Sequence, residues 1–405
     1  MTRAACDHEV SLPPPFTSRA GLAIVPRVTD PSIRRLSRLV PLEEALVRLA
    51  PFLRPVAPAV LPLREAAGKV LAGPLSAPRD LPPAAIAIID GYAVPAAEVQ
   101  GASPYAPVLV PGAALVEAGG AMPPETDAVI AGHFVRLARG TAEILGEVAP
   151  GEGAAAPGED LSAGCVIRAA GERLRPVDLS IALAAGLVDV AVRAPRTALL
   201  LTGNEIAKDP DRDSLVPMLS GAVAAAGGTI AGTILLPDDE QQIAAALRAA
   251  DADLVLVTGG TGLGASDRSV AALEAGGTLL AHGIAMRPGT TAALGHVGGV
   301  PAILLPGRLS ESFGALLLLA LPVLRRLAGA AEPSPRRLRL TKKIVSQAGF
   351  AEIALLRCAG DAAEPLATGA LPLSAIATAD GYTVVPAALE GFEAGASVPV
   401  LDIPA

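Results

Sequence analysis

The run Leu254-Val255-Leu256-Val257-Thr258 passes without a break into Gly259-Gly260-Thr261-Gly262-Leu263-Gly264-Ala265-Ser266-Asp267. An uninterrupted apolar, β-branched run bounded by glycines predicts a strand buried on both faces, as in parallel sheets. Such a strand needs helices to cover it, which points to an α/β fold. The turn that follows holds four glycines in six positions. Glycine has no side chain to keep a ligand away, so bare backbone N–H groups can approach an anion there. The spacing lacks G-x-G-x-x-G and is not the dinucleotide fingerprint. Asp267 opens a predicted helix running to Glu274, either as its cap or as a metal-holding carboxylate beside a bound phosphate.

The 405 residues have room for about two to four domains. Aromatic residues make up 2% and there is no Trp, so the core is built from Ala, Leu and Val, and base-stacking platforms are not expected. A net charge of −8 argues against nucleic-acid and anionic-membrane partners. An anionic ligand must therefore meet local Arg, Lys and N–H groups. Cys6, Cys165 and Cys358 form no C-x-x-C pair, and His8, His133, His282 and His296 show no ligand spacing. That excludes a zinc site and a disulfide framework and suits a reducing cytoplasm. The first residues lack the apolar core of a signal peptide. The longest apolar run, Phe313 to Leu324, contains Pro322 and is too short to span a bilayer.

Residues 1–37 hold Pro13-Pro14-Pro15 and no apolar period, which predicts a loosely ordered extension. Helical spacing runs from Leu42 to Leu53. Segments 38–76 and 165–194 are expected to form a helical and β linker unit, with a short helix at 176–185. Between them, 77–164 has short Val/Ile/Leu segments separated by Pro-Gly, Gly-Gly and Asp-Gly turns, the rhythm of a β-rich domain. From 195 to 332 strand and helix alternate: strands at 197–202, 229–235, 254–258, 278 and 302, helices at 214–226, 238–249, after Asp267, and 311–328. This order predicts a parallel sheet with helices on both faces. Glu332-Pro333-Ser334-Pro335 marks a boundary, and 333–405 returns to short strands.

Ligands on such sheets sit at the carboxyl ends of the strands, where several candidates fall. Thr202-Gly203-Asn204-Glu205 puts a carboxylate there; Glu205 serves either to grip a ligand hydroxyl or amine or as a helix-start acid favoured by the dipole. Asp238-Asp239 begin a helix, where paired acids usually cap. Arg287-Pro288-Gly289-Thr290 and Pro306-Gly307-Arg308 each bring a guanidinium, matched to oxyanions, to a turn beside the glycine loop. In the β-rich region Asp90-Gly91 and Gly158-Glu159-Asp160 are acidic turns. Either aspartate can form its turn or face a cation across a cleft.

Taken in order, these segments resemble the molybdopterin molybdenumtransferase family, the bacterial MoeA and gephyrin E-domain group, from about residue 38 to 405. Asp80-Leu81-Pro82-Pro83 followed by Asp90-Gly91-Tyr92-Ala93-Val94 is similar to that family's D-x-P-P…D-G-Y-A-V segment. Gly158-Glu159-Asp160, Thr202 to Glu205, Gly259 to Asp267, Arg287-Pro288-Gly289 and Leu305-Pro306-Gly307 fall on its later signatures.

The resemblance implies an elongated homodimer with a molybdopterin-binding α/β domain, discontinuous β-rich domains and a C-terminal β domain. The cleft would lie between the α/β domain of one subunit and a β domain of the other. The implied reaction inserts molybdate into adenylylated molybdopterin, with Mg2+-assisted release of AMP. Asp90, Asp160, Asp238 and Asp267 would be the functional carboxylates, with Asp90 and Asp267 on the metal. Glu205, Gly259, Gly260, Gly262, Gly264, Arg287, Pro306 and Arg308 would bind pterin, phosphate or molybdate. A molybdoenzyme or another protein of the cofactor pathway would be a further partner.

The chain departs from the pattern at several positions. Thr290 stands where the family writes the second lysine of K-P-G-K, Arg308 follows Pro306-Gly307 in place of the asparagine of P-G-N-P, and Gly262 replaces a serine. Ile86-Ala87 stand for Asn-Ser, and Gly119 for a threonine. One expectation is that Arg308 supplies the cation lost at Thr290. The alternative is a homologue that carries the cofactor without inserting metal.

Overall fold

The computed structural model describes residues 38–138, 141–262, 264 and 267–404. The extension at 1–37 lies outside the described residues. The described chain opens with β1 (Val40–Pro41) and α1 (Leu42–Leu49), where Leu42, Ala45 and Leu49 are buried at helical spacing. Sequence reasoning assigns this segment to the linker unit, and its buried face turns to the α/β sheet. Leu42, Ala45, Leu49 and Leu53 pack into one core with the α/β sheet residues Leu199, Leu201, Ile303 and Leu305. An amphipathic helix settles where its apolar stripe finds a matching face, whatever its place in the chain.

The linker unit is built from β2 (Ala59–Pro62) and β3 (Val70–Leu71). The chain then enters the β-rich domain through β4 (Gly91–Val94), β5 (Val108–Val110), β6 (Ala114–Val116), β7 (Ala128–Ala131), β8 (Val135–Ala138) and β9 (Thr141–Ile144). These form two three-stranded sheets, β6-β4-β7 and β8-β9-β5, around Val94, Val110, Ile130 and Ile144. The linker is completed by α2 (Pro176–Ala184) and β10 (Asp189–Arg193). β10 pairs antiparallel with β2 and β3.

The α/β domain follows: β11 (Arg196–Thr202), α3 (Asn204–Lys208), α4 (Val216–Ala225), β12 (Thr229–Leu236), α5 (Glu240–Ala249), β13 (Leu254–Thr258), α6 (Ser269–Gly276), β14 (Thr278–His282), β15 (Ile284–Arg287), β16 (Ala293–Val297) and β17 (Val300–Leu305). Helices α7 (Leu309–Ala315) and α8 (Leu321–Ala328) close it, joined by one π-helical stretch. The sheet order is β12-β11-β13-β17-β16-β14. Strands β12, β11, β13 and β17 are parallel, and β16 runs against both neighbours.

Alternate residues of the central strands serve opposite cores. Leu199, Leu201, Leu254, Leu256, Ile303 and Leu305 meet α1, α4 and the α7–α8 rod. Ala198, Leu200, Val255, Val257, Ala302 and Leu304 meet α5 and α6. The two-residue period of a strand buried on both faces is what made this region legible as unbroken apolar runs.

Five C-terminal strands, β18 (Arg336–Leu340), β19 (Ala351–Ala359), β20 (Ala362–Thr368), β21 (Gly381–Val385) and β22 (Ser397–Asp402), pair in a closed ring. β15 leaves the α/β sheet and lies parallel between β1 and β19, tying the two domains together. Among the described residues no helix is long and apolar enough to cross a membrane.

Asp178 anchors the start of α2. Its carboxylate accepts from the Arg175 N–H (2.9 Å), from both Nε and NH2 of Arg175, and from Arg168 Nε (2.8 Å). The Arg175 guanidinium, seconded by Arg168, holds this buried carboxyl well below its ordinary value. A depressed carboxyl pKa stabilises the fold above the unfolded value of 3.8, and the contribution fades as pH falls below it. Asp178→Asn is expected to cost about 3 kcal/mol at neutral pH, as for one partner of a buried ion pair. Chemical denaturation at pH 7 and pH 3 checks this, because the gap between wild type and variant should narrow in acid.

Candidate functional site

Chain order turns back at β11, which has β12 on one side and β13 on the other. At such a switch point the loops beyond two neighbouring strands diverge and leave a crevice. A cleft of about 640 Å3 occupies it, lined by the ends of β11, β13 and β17 and the segments after them. Glu205, Asp238, Gly259, Gly260, Gly262, Asp267, Pro306 and Arg308 all line this cleft. Gly264 adjoins it through its N–H, which donates to Asp267 Oδ2 (2.8 Å).

The glycine turn is shaped by backbone that only glycine adopts freely. Gly259 and Gly260 have φ of +88° and +61°. A Cβ on Gly259 would lie 2.5 Å from the Thr202 carbonyl oxygen. The turn is then pinned from three sides. Gly259 N–H donates to Leu305 O (3.0 Å), Ser269 Oγ donates to Gly259 O (2.8 Å), and Thr202 Oγ1 donates to Thr258 O (2.9 Å). Among the described residues nothing accepts from the N–H of Gly260 or Thr261.

Three acids gather across the turn. Asp238 and Asn204 clasp each other: Asn204 N–H donates to Asp238 Oδ2 (3.2 Å) and Asp238 N–H donates to Asn204 Oδ1 (3.3 Å). Burial raises the Asp238 pKa, and the neighbouring Glu205 and Asp267 charges raise it further against the Asn204 hydrogen bond. Glu311 also lines the cleft but accepts from Gly289 N–H. Arg308 is the one cation among the lining residues. Four acids against one base leave a net negative cleft.

Several expectations are corrected here. Asp267 does not cap the helix that follows: α6 begins at Ser269 after Arg268 with no side-chain cap. Its carboxylate closes the glycine turn through Gly264 instead. Of the Asp238-Asp239 pair, Asp239 is the cap, accepting from Gln242 N–H (2.8 Å), which releases Asp238 for the cleft.

Arg287 does not reach the cleft. β15 carries it to the C-terminal domain, where it pairs with the buried Glu352 (3.0 Å), donates to Gln347 Oε1 (2.7 Å) and lies 5.6 Å from the Phe350 ring centre. A buried carboxylate requires a countercharge, and Glu352 takes Arg287. Asp90 and Asp160 stand on exposed turns outside the cleft of this chain. Asp90 Oδ1 accepts from Ala118 N–H (2.8 Å).

Thr261 lines the cleft as part of the 259–264 loop, and Asn204, Thr258, Thr291 and Glu311, which were not foreseen as site residues, also line or shape it. Thr258 is buried and its hydroxyl has no partner among the described residues. Thr261 and Thr291 hydroxyls lie 3.2 Å apart. Their signal was position alone: each follows a strand end that sequence reasoning did or could locate.

A glycine turn beside clustered carboxylates, at a sheet switch point and flanked by β-rich units, defines an α/β domain with a strand-end binding cleft. Family models fix the particular kind. The MoeA N-terminal region (domain I and II) matches residues 40–186, the "Probable molybdopterin binding domain" 198–326, and the MoeA C-terminal region (domain IV) 337–403. Molybdopterin molybdenumtransferase 2 of Mycobacterium tuberculosis is 30% identical over 397 residues, covering 88% of this chain and 97% of that protein. The molybdopterin molybdenumtransferase of Haemophilus influenzae is 28% identical over 297 residues, covering 66% and 72%. The crystal structure of the molybdopterin biosynthesis moeA protein from Pyrococcus horikoshii OT3 superposes with a TM-score of 0.69 at 28% identity, covering 90% of this chain and 99% of that one. The chain belongs to the molybdopterin molybdenumtransferase (MoeA) family.

Gly259→Ala is expected to destabilise the protein by about 2 kcal/mol or more, from left-handed backbone and the clash with Thr202. Gly232→Ala, on the exposed strand β12 with open space at its Cβ, is expected to change stability by less than about 0.5 kcal/mol. Thermal unfolding of the two variants separates the effects.

Proposed function

We propose that this enzyme of molybdenum-cofactor biosynthesis inserts molybdate into adenylylated molybdopterin and releases AMP. The observation that carries the reading is the cleft itself. It joins the N–H groups of Gly260 and Thr261, which have no acceptor among the described residues, to Glu205, Asp238, Asp267 and Arg308. Backbone donors and a guanidinium suit a phosphoanhydride, whose cleavage leaves negative charge on the departing phosphate. Arg308 would hold that charge, and Glu205 would grip a pterin amine or hydroxyl.

Magnesium fits the charge balance. An anionic substrate entering a cleft with surplus carboxylates needs a cation between them. Among the described residues no three His, Cys, Asp or Glu side chains form a metal cage. Magnesium commonly takes one or two carboxylates with substrate phosphates and water completing its shell. Asp267 and Asp238 are the carboxylates that would hold it within one chain. Bound there, it would draw charge from the phosphoanhydride oxygens.

We assign Asp90 and Asp160 to the facing wall, supplied by a second copy of the chain in a homodimer. Their exposed positions outside this chain's own cleft support that arrangement. A molybdoenzyme receiving the finished cofactor would be a further partner. A second reading, a carrier that binds without inserting, is favoured by Thr290. Its hydroxyl donates to Met286 O (2.8 Å) and brings no charge to the cleft.

AMP release from adenylylated molybdopterin, with molybdate and magnesium present, tests the reading; tight binding without release selects the carrier. Asp267→Asn and Arg308→Gln are each expected to slow release about 10²-fold, and Arg308→Glu to abolish binding of the adenylylated pterin.

A further inference from the structure

We propose a second ligand site, for a compact, doubly charged oxyanion of phosphate or dicarboxylate type, in the cavity between the linker unit and the ends of α4 and α8. The cavity is about 260 Å3, and Arg168, Arg173, Arg175 and Arg325 line it. It is separate from the main cleft and shares no lining residue with it.

Two of the four guanidinium groups are neutralised and two are not. Asp178 binds Arg168 and Arg175 together, and Glu172 takes Arg168 NH1 (3.1 Å). These contacts hold Arg168 and Arg175 in fixed forks. Arg173 donates only through Nε, to Gly68 O (2.9 Å). Arg325 has the buried Tyr382 hydroxyl as its partner. Among the described residues neither Arg173 nor Arg325 meets a carboxylate. Lys69 stands close by, donates to Gly228 O (3.1 Å), and has its pKa lowered by burial and by the Arg173 charge.

Arg173 and Lys69 are thus crowded together with no acidic partner among the described residues, in a chain of net charge −8. Helix dipoles explain part of this, since Ala225 and Ala226 end α4, and Ala330 and Ala331 follow α8. Helix C-termini attract positive charge. The carbonyls of Arg325 and Arg326 are already taken, by the N–H groups of Ala330 and Gly329. The terminal nitrogens of Arg173 are left without an acceptor among the described residues. An oxyanion is the group that matches them, because a guanidinium fork and two anionic oxygens pair edge to edge.

The walls come from two separately built units. They touch where Ala331 N–H donates to Gly171 O (2.9 Å). An anion bound here would join linker to α/β domain and stiffen their junction.

Pyrophosphate and malonate are the probes, titrated calorimetrically into the full chain. The Arg308→Gln background is used so that the main cleft lacks its cation. That background is expected to keep a site for at least one probe, and the tighter probe identifies phosphate or dicarboxylate chemistry. Adding Arg173→Gln or Arg325→Gln should weaken that binding about tenfold or more, with Arg173→Lys intermediate. Arg173 is exposed, so its variants should fold as the parent does, and the upward melting shift given by the probe should shrink with affinity. The proposal is overturned if Arg308→Gln binds neither probe, or if Arg173→Gln binds as tightly as its parent.

Discussion

A methyl group at residue 259 would press on the Thr202 carbonyl oxygen at 2.5 Å, and nearly every feature of the cleft follows from its absence. Bare Cα atoms let the end of β13 lie against the ends of β11 and β17 at once, so that Gly259 bonds Leu305 while Thr202 bonds Thr258. The chain then turns through left-handed backbone and leaves the next N–H groups pointing away from the sheet's own hydrogen bonds. Ser269, on the helix beyond, locks the turn from behind. The cleft arises here as a by-product of three strand ends meeting where one side chain is missing.

Charge is arranged around that turn in two layers. The backbone supplies donors, and Glu205, Asp238 and Asp267 supply acids on the far side. Burial raises the Asp238 pKa, the neighbouring acids raise it further, and the hydrogen bond from Asn204 opposes both. Left alone, such a cluster disfavours the anionic ligand that the donors attract. The two tendencies are reconciled when a cation sits between acids and phosphate and offsets part of the repulsion.

How much of this was legible depends on whether a feature is local. The alternation of β11, β13 and β17 between two cores shows as apolar runs, because both faces are buried. The cleft residues at strand ends were found by that same rule. β16 was missed, although Gly298-Gly299, with φ of +59° and +93°, sits between two apolar runs and carries the mark of a tight hairpin. Neither the departure of β15 from the sheet nor the capture of Arg287 by Glu352 can be read from spacing. The two partners are 65 positions apart (352 minus 287), and only the packing of the C-terminal ring brings a buried acid to that place. The allegiance of α1 fails to show for a similar reason: its apolar stripe fits either neighbour, and the larger core wins.

The loss of Arg287 from the cleft bears on how the family's chemistry can run here. Sequence reasoning offers two arginines, and the fold delivers one. Thr290 adds none, since its hydroxyl serves Met286. Arg308 therefore stands alone against four acids, on an exposed turn that opens α7. A single exposed guanidinium can meet a phosphate only by competing with water, so most of the grip must come from the turn's N–H groups and from whatever cation the acids hold. On the reading proposed above, the glycine backbone, more than any basic side chain, would set where the phosphate lies, and Arg308 would set how well its charge is tolerated once the anhydride opens.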